Sequence, residues 1–156
     1  MFRIKRILYP TDFSSYSNQA YFHAVGLAEL HNAQLTVMYV FNPAADQAGD
    51  RNYWRGQLEQ IRPTNPAIAV EHVLLDGNPG EVIPQYAAQA GMDMVVMGTH
   101  GRSGLAHLVM GSVAERVVRE APCPVMTIKQ SRAVVMAESP IAARAAVRCT
   151  RTILFG

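Results

Sequence analysis

The chain has 156 residues, 49% of them hydrophobic, and its 14 Lys and Arg residues against 12 Asp and Glu residues give a formal net charge of +2. This size suits one globular domain with a substantial core. Residues 1–129 hold 10 Lys and Arg against 11 Asp and Glu, and this near-neutral charge argues against nucleic acid as the main partner. The sequence has no run of 18 apolar residues, no secretory signal at its start, and two cysteines without metal-ligand or disulfide spacing, so we expect a cytoplasmic protein without a membrane span or a cysteine metal site.

Short apolar segments alternate with amphipathic ones along residues 1–129. Apolar runs rich in β-branched residues predict strands over residues 3–9, 34–41, 67–75, 94–97 and 125–129. Apolar residues spaced as on one helix face predict helices between these strands, the first beginning at Ser14 or Ser15 and ending at Asn32. Strands that alternate with helices favour an α/β domain with a parallel sheet and right-handed crossovers.

The second and third helices carry weaker signals. Apolar spacing from Trp54 predicts a helix over residues 53–61 with this tryptophan as a packing anchor, and stacking on a ligand is the alternative. The third helix is predicted over residues 81–89. Because it contains Pro84, we expect it to begin effectively near this proline, and Gly91 is a suitable residue to follow its end.

The fourth helix has a well-marked predicted start. Ser112 and Glu115 match the S-x-x-E pattern of a capping box. Four apolar residues fall on one helix face, namely Ala114, Val117, Val118 and Ala121. The start of a helix presents free N–H groups and the positive end of the helix dipole, and both attract an anion.

A glycine-rich loop joins the fourth strand to this helix start. Its spacing is G-x2-G-x9-G-S, formed by Gly98, Gly101, Gly111 and Ser112. Glycine lets backbone N–H groups approach a ligand because no Cβ atom stands in the way. Neither a P-loop nor a dinucleotide fingerprint is present in the sequence. We therefore predict a phosphate-binding loop, with a purely structural glycine loop as the alternative.

This motif, placed between a strand and a helix, resembles the G-x2-G-x9-G-(S/T) nucleotide motif of the ATP-binding type of universal stress protein. The resemblance covers residues 1–129. It implies a single-domain, doubly wound, five-stranded parallel sheet of order 3-2-1-4-5, a Rossmann-like or adenine nucleotide alpha hydrolase-like α/β fold. It also implies that ATP binds with Mg²⁺ in the crevice between the first and fourth strands, where the strand order reverses. Whether AMP competes with ATP stays open.

The same resemblance implies roles for individual residues. Asp12, at the end of the first strand, is expected to hydrogen-bond adenine, and Val40, at the end of the second, to contact its ring. A turn carboxylate and an ordinary core valine are the respective alternatives. The residues expected around the ribose and phosphates are Pro10, Met97, Gly98, Gly101, Arg102, Gly111, Ser112 and Val113. Thr11 and His100 complete the predicted site, although His100 and Arg102 also suit solvated loop positions.

The resemblance favours a sensor or regulator, and we assign no catalytic residue because no base and orienting partner have suitable spacing. The alternatives are a slow ATPase, in which His100 or a carboxylate orients water, and a scaffold that binds no nucleotide. The segment Val125 to Ile128 is apolar and is expected at the sheet edge, where it is a template for pairing. Family members commonly pair this strand, so we expect a homodimer, with a regulatory protein of unknown identity as a further partner.

Residues 130–156 are predicted to be a C-terminal extension of the nucleotide-binding domain, residues 1–129. The extension is basic, with four Arg and one Glu. Ser139 and Pro140 before an alanine-rich run favour a helix start. This composition is compatible with a flexible or peripherally packed tail. It is also compatible with a basic arm that binds another protein, an acidic lipid surface or a subunit.

Overall fold

The structure is a computed structural model and describes residues 3–47, 49–100 and 110–129. Its elements in chain order are β1 (Arg6–Pro10), α1 (Ser15–His31), β2 (Gln34–Phe41), α2 (Arg51–Glu59), β3 (Val70–Asp76), α3 (Pro79–Gln89), β4 (Met94–Gly98), α4 (Ser112–Glu120) and β5 (Val125–Ile128). Within these ranges five parallel strands form a sheet of order β3-β2-β1-β4-β5. The predicted fold class and strand order are confirmed.

Helices cover both faces of this sheet. The core on one face contains α1, α2 and the odd-numbered residues of β2, and the core on the other contains α3, α4 and the even-numbered residues Met38 and Val40. Side chains alternate between faces along a strand, so covering both faces buries the strand continuously. Accordingly, residues 35–40 of β2 are all buried.

Helix α1 has the two ends that its sequence predicts. The Ser14 hydroxyl oxygen caps it by accepting a hydrogen bond from the Ser17 N–H at 3.3 Å. Asn32 ends it in the left-handed region with φ +50°, a conformation that asparagine tolerates. The helix lays small residues, Ala20, Ala24 and Ala28, against the sheet. Small side chains allow the helix axis to approach the strands closely.

The next two helices begin earlier than predicted. Helix α2 begins at Arg51 because Asp50 caps it, its carboxylate accepting from the Tyr53 N–H at 2.9 Å. Helix α3 begins at Pro79 behind the cap Asn78. Pro84 therefore lies inside the helix, and the predicted start near this proline is wrong. Gly91 follows the end of α3 with φ +61°, as predicted.

Helix α4 departs from its predicted start. Its N-cap is Gly111, without a side-chain cap, and Ser112 is already the first helical residue, so the capping box of Ser112 and Glu115 is wrong. The physical reason is that the Gly111 N–H is held by the carbonyl oxygen of Thr99 at 2.7 Å, which fixes the helix start one residue earlier. The predicted buried position Val118 is also wrong, because its side chain is 47% exposed.

Smaller differences concern the strand ends. Strands β1 and β3 begin about three residues later than predicted, at Arg6 and Val70, and Lys129 lies beyond β5. Trp54 is 7% exposed in the core, which confirms its predicted packing role. Across the parts of the chain that the structure describes, no helix has the length and apolarity needed to cross a membrane. The predicted extension, residues 130–156, lies outside the described residues.

Candidate functional site

The carboxyl ends of β1 and β4 form the point where the strand order reverses. From β1 the chain crosses to β2 on one side, and from β4 it crosses to β5 on the other. Such a reversal opens a crevice outside the carboxyl ends of the two strands. Strand β1 pairs with β2 as far as Pro10 beside Met38 and with β4 as far as Leu8 beside Val95. Just after β1, the Thr11 N–H donates to the carbonyl oxygen of Met38 at 2.8 Å.

The turn after β1 is held by its own polar side chains. The hydroxyl oxygen of Thr11 accepts a hydrogen bond from the Phe13 N–H at 3.0 Å and lies 3.1 Å from the hydroxyl oxygen of Ser17. The carboxylate of Asp12 accepts from the Ser14 N–H at 3.0 Å. Asp12 is therefore a turn carboxylate, as the alternative assignment held. This leaves its predicted ligand role open, because a carboxylate has two acceptor oxygens.

Phe13 has an unusual backbone conformation within this turn. Its φ is +61°, in the left-handed region, which costs a residue with a side chain roughly 1–2 kcal/mol. Its ring stacks on Trp54 with centroids 5.3 Å apart and packs against Tyr39 at 5.0 Å. These contacts offset the cost of the backbone conformation. No role was predicted for Phe13 from the sequence.

The side chain of Tyr9 also stabilises this turn. Its hydroxyl donates a hydrogen bond of 2.8 Å to the carbonyl oxygen of Ser17, in the first turn of α1. Burial raises the pKa of Tyr9 above its ordinary value, so the hydroxyl keeps the proton that it donates. Together with the contact between Thr11 and Ser17, this bond ties the end of β1 to the start of α1.

At Gly98, the side on which a Cβ atom would project faces helix α1. A Cβ atom built at Gly98 would lie 3.0 Å from the carbonyl carbon and oxygen of Tyr16 and 3.2 Å from the backbone nitrogen of Ser17. This glycine is therefore required by the close approach of α1 to β4. Its predicted role of letting a ligand approach the backbone stays a prediction, and the packing contact is a separate requirement on the side where a Cβ atom would project.

Thr99 links three elements just after β4. Its N–H donates to the carbonyl oxygen of Ile128 at the end of β5 at 3.0 Å, and its own carbonyl oxygen accepts from the Gly111 N–H at 2.7 Å. Its hydroxyl lies 3.0 Å from Nδ1 of His100. The His100 ring packs on Tyr16 with centroids 5.4 Å apart. The predicted residue His100 is thus fixed at the base of the loop, against α1.

The start of α4 supplies the positive end of a helix dipole at the same edge. Gly111 adopts an extended N-cap conformation with φ −73° and ψ 156°. Ser112 is exposed, and half-buried Val113 packs against the core beneath α3 and α4. The first N–H groups of a helix have no partner within the helix, so they point outward toward an acceptor. The remaining predicted loop residues, Gly101 and Arg102, lie outside the described residues.

The predicted apolar residues of the site are largely core residues. Val40 is 7% exposed and Met97 6% exposed, both within the core beneath α3 and α4, and Pro10 is buried at the end of β1. The core assignment of Val40 is therefore correct. All three residues lie at or near the carboxyl ends of their strands.

Two surface cavities lie away from this edge. One, of about 280 Å³, lies between α2 and β3 and is lined by residues such as Arg55 and His72. The other, of about 510 Å³, lies near the amino ends of the strands, beside Arg3 and Lys5. Neither is lined by a predicted site residue. Among the residues described, no group of three His, Cys, Asp or Glu is placed to hold a metal ion.

Besides Phe13, three further residues that shape the site were not predicted from the sequence. Ser17 joins Thr11 and the Ser14 cap, and Thr99 joins β4, β5 and α4. Tyr16 contacts both Gly98 and His100. The spacing of Ser14 and Ser17, three residues apart at a helix start, is a local signal for the first of these. The contacts of Thr99 and Tyr16 join distant parts of the chain and leave no local pattern.

Comparison with known proteins gives a consistent result. The universal stress protein family model matches residues 3–129. A universal stress protein of Methanocaldococcus jannaschii is 30% identical over 142 residues, which cover 82% of this chain and 84% of that one. The solved structure of a universal stress protein from Lactobacillus plantarum has a TM-score of 0.68 and 29% identity, covering 81% of this chain and 98% of that one. A universal stress protein solved in complex with cAMP shares the fold, with a TM-score of 0.65 and 22% identity over 83% of this chain and 99% of that one.

Proposed function

This chain belongs to the universal stress protein family, and we propose that it binds an adenine nucleotide, specifically ATP with Mg²⁺, at the carboxyl ends of β1 and β4. One observation carries the proposal. The Gly111 N–H bonds to the carbonyl oxygen of Thr99 at 2.7 Å, which sets the start of α4 directly beside the end of β4. A helix start at a strand-order reversal suits an anionic ligand.

The base of the nucleotide belongs at the β1 side of the crevice in this proposal. Asp12 is half-buried and directly follows β1, so one carboxylate oxygen can accept a hydrogen bond from the amino group of adenine. Val40 and Met97 give an apolar floor at the neighbouring strand ends, which suits an aromatic ring. The relative solved with cAMP also carries an adenine base on the same fold.

The phosphates belong at the start of α4. Gly111 has no side chain to occupy the space before the helix, and the N–H groups of Ser112 and Val113 lie in the first helical turn. These groups and the helix dipole stabilise negative charge. Gly101 and Arg102 are proposed to complete this part of the site on the strength of the sequence motif.

The cation enters with the nucleotide in this proposal. Mg²⁺ takes oxygen ligands and keeps several waters, and it is often held by one or two carboxylates together with substrate phosphates. The described residues offer no cluster of three metal ligands. We therefore propose that phosphate oxygens of the nucleotide, rather than protein side chains, are the main ligands of Mg²⁺.

The biological role that we propose is that of a cytoplasmic sensor or regulator, in which nucleotide occupancy changes a surface read by another protein. We also propose that it acts as a homodimer paired through β5. All four residues of β5 are half-buried, and β5 is one end of the strand order. An accessible sheet edge is a template for pairing with a second strand.

The test of nucleotide binding uses Gly111, where stability and binding respond in opposite directions. Gly111→Asp places a favourable capping carboxylate at the start of α4, which raises helix stability by a few tenths of a kcal/mol or more. The same carboxylate repels phosphates, so calorimetric titration with MgATP should show affinity weakened by at least about tenfold. Gly111→Asn adds a cap of the same shape without charge and should lie between the two.

A matched control adds the same charge to another helix. Asn52→Asp places a carboxylate in the first turn of α2, where residue 52 is exposed, and should leave nucleotide affinity unchanged. The proposal is wrong if wild-type protein binds no adenine nucleotide up to about 1 mM, the weak end of specific binding. Equal MgATP affinity of wild type and Gly111→Asp would contradict the proposal that the phosphates bind at the start of α4.

A further inference from the structure

The aromatic cluster of Phe13, Tyr39 and Trp54 lies directly beside the turn that carries Asp12. Phe13 stacks on Trp54 at 5.3 Å with ring planes 25° apart, and Tyr39 lies 5.0 Å from each of the other two rings. Tyr39 is 1% exposed and Trp54 is 7% exposed. The cluster is therefore a rigid, buried support built from β2 and α2, and Phe13 is the one member that belongs to the turn.

Phe13 connects this support to the backbone of Asp12. Its φ of +61° is a conformation that residues with a side chain rarely adopt. Its N–H is bound by the Thr11 hydroxyl at 3.0 Å, and the residue after it, Ser14, donates its N–H to the Asp12 carboxylate at 3.0 Å. Without the contacts of its ring with Trp54 and Tyr39, Phe13 would relax to a common φ value. This change would rotate the peptide that follows Asp12 and break the hydrogen bond from the Ser14 N–H to the Asp12 carboxylate.

Helix α2 holds the other side of the cluster in place. Arg51, the first residue of α2, pairs with Asp76 on β3 through Nε at 2.9 Å and donates from Nη2 to the carbonyl oxygen of Leu74 at 3.3 Å. Asp50 caps the same helix turn. The tryptophan ring is thus carried by a helix whose start is fixed to the far edge of the sheet.

We propose that Phe13 and Trp54 are positioning residues for the adenine subsite: their stack holds the strained turn that aims the Asp12 carboxylate into the crevice. This inference rests on the proposed nucleotide function and deepens it. Neither ring needs to touch the nucleotide. They act through the backbone of residues 12–14, and they make the affinity for the base, but not for the phosphates, depend on α2.

The experiment compares a ligand that has the base with one that lacks it. Calorimetric titrations use MgATP and magnesium tripolyphosphate against wild type, Phe13→Ala, Phe13→Tyr and Trp54→Ala. We expect Phe13→Ala to raise the Kd for MgATP by at least about tenfold and to leave the Kd for tripolyphosphate within about twofold of wild type. Trp54→Ala should act in the same direction, and Phe13→Tyr, which keeps the ring, should resemble wild type.

A control separates positioning from general loss of stability. Tyr86→Ala removes a half-buried aromatic side chain from the core beneath α3 and α4, on the opposite face of the sheet. It should lower the melting temperature without changing the ratio of the two Kd values. If Phe13→Ala does not fold, Phe13→Leu keeps the apolar volume without the flat ring and gives the same comparison.

The chain also carries its own reporter, because Trp54 is the single tryptophan in the sequence. Its fluorescence should change on addition of MgATP and not on addition of tripolyphosphate. The inference is overturned if folded Phe13→Ala binds MgATP as wild type does, or if it loses both ligands equally. If wild type binds neither ligand, the proposed function fails and this inference falls with it.

Discussion

The backbone of Gly98 in β4 packs against the backbone of Tyr16 in α1, so closely that a Cβ atom at Gly98 would lie 3.0 Å from the Tyr16 carbonyl oxygen. Backbone atoms cannot swing aside as the end of a side chain can. We expect Gly98→Ala to lower the free energy of unfolding by about 1–3 kcal/mol, the usual cost of overpacking. Urea denaturation of wild type and variant measures it.

Gly26 in α1 provides the matched control for this substitution. A Cβ atom built there meets nothing within 4 Å, and alanine favours a helix over glycine by about 0.5–1 kcal/mol. Gly26→Ala should therefore stabilise the protein by that amount. Equal effects of the two alanine substitutions would mean that Gly98 is not required by helix packing.

Two neighbouring tyrosines should respond in opposite ways to loss of the hydroxyl. The rings of Tyr9 and Tyr21 lie 5.6 Å apart. The Tyr9 hydroxyl donates to Ser17, whereas the buried Tyr21 hydroxyl has no hydrogen-bond partner among the residues that the structure describes. We expect Tyr9→Phe to destabilise by about 0.5–1.5 kcal/mol and Tyr21→Phe to be neutral or to stabilise by about 1 kcal/mol. Thermal unfolding at neutral pH decides this, and a clear loss in Tyr21→Phe contradicts it.

The same tyrosines predict how stability changes in alkaline solution. Burial raises the pKa of both Tyr9 and Tyr21 above the ordinary value of 10.0. In the unfolded chain these hydroxyls ionise near pH 10, while the folded protein retains their protons to higher pH. Their contribution to stability is therefore complete below pH 10 and is lost as the pH rises through the folded-state pKa values. Melting temperatures between about pH 8 and 11 should fall less steeply for Tyr21→Phe than for wild type.

Assembly should use one sheet edge and not the other. In β5 the even-numbered residues direct their backbone N–H and C=O groups toward β4, as the hydrogen bond from the Thr99 N–H to the Ile128 carbonyl oxygen shows. The backbone N–H of Thr127 therefore points to the other side, away from β4. Thr127→Pro removes that donor without breaking the ladder to β4. We expect wild type to be a dimer and Thr127→Pro a monomer by light scattering at micromolar concentration, with unchanged far-UV circular dichroism.

The edge of β3 is expected to stay unpaired because a side chain occupies it. Arg51 donates to the outward carbonyl oxygen of Leu74 at 3.3 Å and pairs with Asp76. A charged residue at an edge discourages pairing. Arg51→Ala should leave the dimer intact if β5 is the interface. A monomeric wild type, or a dimer that survives Thr127→Pro and is lost in Arg51→Ala, would contradict the assignment of β5.

The sequence predicted most accurately those features that depend on neighbouring residues. Ser14 and Asn32 bound α1 as expected, because capping involves residues a few positions apart. The strand order followed from the family resemblance, and the structure agrees with it. The start of α4 was missed because it depends on the bond between Gly111 and Thr99, which joins the two ends of a loop. The S-x-x-E pattern at Ser112 satisfied a local rule that this more distant contact overrides.

Two residues near the candidate site have structural roles that were not predicted from the sequence. Gly98 was predicted as a ligand-facing glycine, and the structure gives it a packing contact with Tyr16. Phe13 was passed over, because its positive φ is stabilised by Trp54, about forty residues further along the chain. Contacts of this kind become visible only when the sheet has brought β1, β2 and α2 together.

Slow or absent hydrolysis of ATP is expected from the way His100 is held. Transfer of a phosphoryl group to water needs Mg²⁺, stabilisation of negative charge and a group that positions the water. The start of α4 offers charge stabilisation, but the sequence has no P-loop lysine. His100 has Nδ1 3.0 Å from the Thr99 hydroxyl and its ring on Tyr16, contacts that fix it at the base of the loop. We therefore expect phosphate release from MgATP far below about 1 s⁻¹, the low end of ordinary enzymes.

His100→Ala and Thr99→Val should leave this slow rate within about threefold of wild type, since neither side chain activates water in a sensor. A magnesium-dependent rate above about 1 s⁻¹ that His100→Ala abolishes with MgATP affinity intact would make the protein an ATPase.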